Sequence, residues 1–127
     1  MRFTIYGKLD GINSYTSACR TNPHKGAQVK KQNQELVEYF LNKETEGTEE
    51  QFPFENPVKL NFTWFEENNR RDPDNISGFG HKVILDAMVE RGILQGDSRR
   101  YVKEFSDRFY TDKKNPRIEV EVVEIEQ

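Results

Sequence analysis

The chain is poor in the residues that staple small proteins or hold zinc. Cys19 is the only cysteine among 127 residues, so no internal disulfide can form and nothing points to an oxidising compartment. The two histidines, His24 and His81, have no partners at metal-ligand spacing, which argues against zinc. No stretch approaches the roughly 20 apolar residues that cross a bilayer. The opening MRFTIYGK reads directly as an alternating strand, without the apolar core of a signal peptide. The expectation is a cytoplasmic protein with no membrane partner. A Gly-rich phosphate loop is missing as well. Cys19 has no activating base nearby in sequence, and no serine has a supporting triad.

What is present is charge. Hydrophobic residues make up 34% of the chain and charged residues 32%, a balance that suits one polar-surfaced domain over residues 1–127. A net charge of -3 argues at first against a nucleic-acid partner. Its distribution weakens that objection. Residues 44–55 carry five Glu and no base, and residues 116–127 carry four Glu against Arg117, which leaves the rest of the chain at +5. Bases cluster at Arg20, Lys25, Lys30 and Lys31, at Arg70, Arg71 and Lys82, and at Arg99, Arg100 and Lys103. A locally basic face on an acidic protein can still hold phosphates.

Periodicity gives the elements. Residues 2–8 alternate as a first strand, and the Gly-, Ser- and Asn-rich stretch LDGINSYTSACRTNPHKG reads as a long loop. Residues 27–43 place Val29, Leu36, Val37, Phe40 and Leu41 on one helical stripe, and the Glu-rich 44–55 reads as a solvated connector. The clearest strand is 58–65, with Val58, Leu60, Phe62 and Trp64 on one side. A helix follows the tetrapeptide DPDN. Ile76, Phe79, Val83, Ile84, Ala87 and Met88 form its buried stripe, Gly78 and Gly80 weaken its first turns, and Gly92 stops it. Residues 101–110 and 117–125 read as two strands, with DKKNP as a hairpin connection between them. The order β-α-β-α-β-β implies a mixed sheet with two main helices packed on it, an α/β or α+β domain.

The stretch RRDPDNISGFGHKVILD carries the candidate chemistry. In extended backbone, residues two apart share a face, so Asp72 and Asp74 are expected to point the same way. Paired carboxylates suit Mg²⁺ or Mn²⁺, which takes one or two protein carboxylates along with waters and phosphate oxygens. Asn75 is positioned to cap the following helix. Lys82 and Asp86 lie four apart on that helix, and Asp97 follows in a loop that can fold back beside it. Three acids, a lysine and flanking arginines are the groups a phosphodiester-cleaving site would use. The same residues have plainer uses: turn chemistry for the aspartates, a surface ion pair for Lys82 and Asp86, or arginines neutralising the acids without a metal. An EF-hand is excluded, because Ile76 falls at a ligand position. For phosphate contact the candidates are Arg70, Arg71, Lys30, Lys31 and Arg100.

The strings RRDPDN, KVILDAM and GILQGD resemble the RusA family of Holliday junction resolvases, in particular its branch from Gram-positive bacteria and their phages. Asp72, Asp74 and Asn75 match that family's Asp-x-Asp-Asn, Lys82 stands four before the helix acid Asp86, and Asp97 stands eleven after it. The resemblance is strong over residues 70–97 and weaker elsewhere. It implies that Asp72, Asp74 and Asp97 are catalytic metal-binding carboxylates, that Lys82 is a catalytic or phosphate-contacting lysine, and that Asn75 and Asp86 support them. It also implies a homodimer that cuts four-way DNA in recombination and repair with Mg²⁺ or Mn²⁺. A flap or other branched-DNA nuclease, and a non-catalytic junction-binding protein, are the alternatives. Lys82 stands eight after Asp74 where well-known bacterial members place it four after, so an extra turn must loop out or extend the helix start.

Overall fold

The alternating strand at residues 58–65 becomes the middle of the molecule. The computed structural model describes residues 1–126, in the order β1 (Arg2–Tyr6), α1 (Ile12–Thr21), α2 (Pro23–Thr45), β2 (Val58–Glu66), α3 (Pro73–Glu90), β3 (Val102–Thr111) and β4 (Arg117–Glu124). The strands form one mixed sheet in the order β1-β4-β2-β3, so the chain is a small single-domain α+β protein. β2 pairs parallel with β3 and antiparallel with β4, and β4 pairs antiparallel with β1. Val58, Leu60, Phe62 and Trp64 of β2 join Val120 of β4 and Ile5 of β1 beneath Val37 and Leu41 of α2 and Val83, Ile84 and Met88 of α3. All the helices therefore cover one face of the sheet. No helix among the described residues is long and apolar enough to cross a membrane.

The other face is polar and open. Hydrogen bonds cross it from edge to edge: Arg2 Nη2 donates to Glu121 Oε2 at 2.6 Å, Asn61 Nδ2 to Glu121 Oε1 at 2.9 Å, and Ser106 Oγ to Asn61 Oδ1 at 2.6 Å. The Asn61 amide, and after it the Arg2 guanidinium, hold the Glu121 carboxyl below its usual range. A lowered carboxylate pKa stabilises the fold at neutral pH, and that contribution is lost as the pH falls through the lowered value.

Three local expectations are corrected. The stretch taken as one long loop contains α1 and the first turn of α2. Asn22 separates the two helices: its side chain accepts the His24 N–H at 2.8 Å, and Pro23 starts α2 with its φ already helical. Tyr15 of α1 stacks on Phe79 at 4.5 Å, the tertiary contact that a ten-residue helix needs. Second, DKKNP does not join a hairpin. It carries the chain from β3 past the end of β2 to β4, because the most apolar strand takes the centre and separates them. Third, the Glu-rich segment is only partly a solvated connector. Thr45 still belongs to α2, and Phe54 is buried, with its N–H bonded to the Ile93 carbonyl at 3.1 Å.

Helix α3 runs unbroken through both of its glycines, so the extra residues between Asp74 and Lys82 lengthen the helix start. Gly80 is there for clearance. A Cβ at that position would lie 2.5 Å from Cη2 of the Trp64 indole, which is fully buried. Gly80→Ala is expected to cost about 1–3 kcal/mol as an overpacking change, read as a fall of several degrees in Tm. Gly92 ends the helical region as expected, at φ +73.

Candidate active site

The DPDN tetrapeptide is where strand gives way to helix. Asp72 is extended, at φ -76 and ψ 157, as a residue before proline is constrained to be. Pro73 then opens α3 at its first position. Asp72 and Asp74 therefore share the N-terminal end of a helix, and not one face of a strand. Both are exposed, Asp72 makes no capping bond, and neither carboxylate forms an ion pair with the described residues. The positive end of the helix dipole is the counter-charge closest at hand. Asn75 is not the cap. Its Oδ1 accepts the Asn13 N–H at 3.0 Å, which ties the start of α1 to the start of α3.

The two arginines before the aspartates have different surroundings. Arg71 grips Glu66 at the end of β2, with Nε to Oε1 at 2.7 Å and Nη2 to Oε2 at 2.9 Å, and donates from Nη1 to the Leu9 carbonyl at 3.0 Å. Glu66 is one of two buried polar residues in the chain's described part. Arg71 is thus engaged in holding the strand, the β1–α1 turn and the start of α3 together. Arg70 is exposed and has no ion pair among the described residues.

Lys82 stands two turns further along α3, about 12 Å from Asp74 along the axis by helical rise. It contacts Asp86 Oδ1 at 3.2 Å and Asp97 Oδ2 at 3.4 Å, while Lys30 of α2 takes Asp86 Oδ2 at 2.7 Å. Ile93 and Leu94 are buried and fold the segment after α3 back, which brings Asp97 beside the lysine. Asp86, and after it Asp97, raise the Lys82 pKa above the usual lysine range. A raised lysine pKa contributes stability at neutral pH that is lost only when the pH rises through the raised value. With 57% of its side chain exposed, Lys82 keeps this ion pair well screened. Lys31 and Arg100 are exposed, the latter with its guanidinium over the Tyr101 ring at 5.5 Å.

The structure thus brings Lys82, Asp86, Asp97 and Lys30 together, and it keeps Asp72 and Asp74 as a separate pair at the end of the helix. Sequence reading missed one further polar group. His81 Nε2 lies 2.7 Å from Asp107 Oδ1, and the same oxygen accepts the Trp64 indole N–H at 2.8 Å. The signal for it was the pattern FSDRF in residues 105–109, which puts Asp107 on the same face of the strand as two phenylalanines.

Exposed carboxylates are hard oxygen donors of the type Mg²⁺ or Mn²⁺ takes, and Asp72 and Asp74 are two such donors. Asp97 faces Lys82, and no three His, Cys, Asp or Glu side chains among the described residues are gathered as a ready cage. No protein-family model matches the chain, and no curated protein matches it.

Proposed function

We propose that the chain is a metal-dependent, structure-selective endonuclease of the cytoplasm, acting as a homodimer on four-way DNA as RusA-like resolvases do. One observation carries the reading. Two unpaired carboxylates, Asp72 and Asp74, stand at the start of the helix that presents Lys82, with Asp97 hydrogen-bonded to that lysine. In this reading Asp72 and Asp74 would hold Mg²⁺ or Mn²⁺, while Asp97 stays paired with Lys82. The ion supplies Lewis acidity at the phosphoryl oxygen. The residues do the rest. Lys82 donates its ammonium protons to the oxygen that gains charge, and Asp86 keeps that ammonium charged and aimed. Arg70, Lys31 and Arg100, exposed, are the phosphate contacts, which give position without reading sequence. Arg71 and Lys30 act through Glu66 and Asp86 instead.

Lys82→Ala is expected to lower the single-turnover cleavage rate on the order of a hundredfold while junction affinity changes little. Equal losses in rate and affinity would make Lys82 a positioning contact. The test of the reading is incubation of the purified protein with an immobile four-way junction and a matched linear duplex, with Mg²⁺ or with EDTA. Paired symmetric nicks in the junction alone, absent with EDTA, are the expected result. Equal cutting of duplex would keep the nuclease and remove the junction selectivity. Tight junction binding without cutting in Mg²⁺ or Mn²⁺ would favour a non-catalytic binding protein.

A further inference from the structure

Strand β3 is an edge: it pairs with β2 on one side and, among the described residues, has no strand on the other. A free edge of ten residues is a template for another strand, and proteins that stay monomeric blunt such edges with charge. β3 does carry charge, but in a self-complementary arrangement. Glu104, Ser106, Arg108 and Tyr110 lie on the open face, aligned with Lys59, Asn61, Thr63 and Phe65 of β2. Phe105, Asp107 and Phe109 lie on the helical face, aligned with Leu60, Phe62 and Trp64.

Two copies that pair through the same edge must run antiparallel about a two-fold axis normal to the sheet. Residues directly opposite each other then come from the same face, which leaves a short set of registers. An axis at Glu104, Asp107 or Arg108 sets like charges against each other, and one at Phe105 leaves Glu104 opposite Ser106 and Arg108 opposite Val102, with neither charge matched. An axis at Ser106 sets Glu104 opposite the partner's Arg108, and the reverse, so two opposite-charge pairs form on the open face. On the helical face the same register sets Phe105 diagonal to the partner's Phe105 and Phe109. Phe105 is 43% exposed, a large apolar ring with an uncovered side, and its covered side stacks on His81 at 4.7 Å. Asp107, which would face the partner's Phe105, is already bonded to Trp64 and His81 within its own protomer. Arg108 has no ion pair of its own among the described residues, and Glu104 reaches only Lys59, at 3.5 Å.

We infer that β3 is a docking edge for a second copy of this chain, paired antiparallel about Ser106 to make one continuous eight-stranded sheet. The edge gives the two-fold that the proposed junction cleavage calls for, but the inference does not rest on that cleavage.

The test is sedimentation of the full chain over a dilution series, without DNA or metal. Wild type is expected to dimerise. Arg108→Glu sets acid against acid at both symmetric positions and is expected to raise the dissociation constant about tenfold or more. Adding Glu104→Arg in the same chain reverses both charges and is expected to restore the dimer, a rescue that a folding defect would not show. In a Cys19→Ser background, Ser106→Cys is expected to cross-link to itself under mild oxidation. A wild type that stays monomeric, or a dimer indifferent to Arg108→Glu, overturns the inference. A monomer that still resolves junctions would overturn it and leave the nuclease standing, and a dimer of this kind that cuts nothing would do the opposite.

Discussion

Asp74→Asn is expected to lower junction cleavage by on the order of 10²–10³ or more, with junction affinity unchanged or higher. The change keeps the size and shape of the side chain and removes only the charge. Asp74 is exposed in the first turn of α3 and carries no ion pair among the described residues, so nothing in the fold is orphaned by the substitution. A ligand carboxylate that becomes an amide loses most of its hold on a divalent ion, while the loss of a negative charge beside DNA phosphate lessens repulsion. Rate and affinity then move in opposite directions. If Asp74 serves only the helix dipole, cleavage stays as it was and stability falls by about 0.3–1 kcal/mol. Single-turnover cleavage and junction binding, measured on the same preparation beside a thermal melt, separate the two cases.

The largest expected loss of stability comes from Arg71→Ala. The substitution removes three hydrogen bonds and leaves the buried Glu66 carboxylate with no cation. Breaking a buried pair on one side costs on the order of 3–5 kcal/mol, more than the pair itself contributes. A double change of Arg71→Met with Glu66→Met removes the charge problem and is expected to recover most of the loss. Urea unfolding of wild type, single and double variants measures both effects. A single variant within about 0.5 kcal/mol of wild type, the range of ordinary surface changes, would show that solvent reaches Glu66.

Local patterns made much of the fold legible. The alternation of Val58, Leu60, Phe62 and Trp64 announced the central strand, and the stripe from Ile76 to Met88 announced α3. What local pattern does not carry is which strand lies beside which. β3 and β4 follow one another in sequence and yet lie on either side of β2, a result of where apolar surface must go and not of the turn between them. Helix α1 escaped because its asparagine, serines and threonines are turn formers, and it is tertiary packing, of Tyr15 on Phe79 and of Ile12 and Ala18 against the rest of the fold, that makes the helix worth its ordering. Within the candidate site, the spacing of Lys82 and Asp86 was enough to foresee their contact. The roles of Arg71 and Lys30 were not visible, because Glu66 and Asp86 become their partners only once β2 and α2 are in place.

The position of β4 has a consequence for how the molecule is made. Among the described residues β1, the first strand of this sheet in chain order, pairs only with β4, the last of the four. Throughout synthesis β1 therefore waits without its hydrogen-bonding partner, and β2 has one flank bare, until β4 emerges from the ribosome and slots between them. Contacts this far apart in sequence are slow to form, since the whole chain must be closed into a loop before they return any stability. The sheet is expected to complete in one late step, and chains that lose β4 to early termination are expected to leave β1 unpaired and one edge of β2 bare, open to aggregation, rather than a smaller, stable domain.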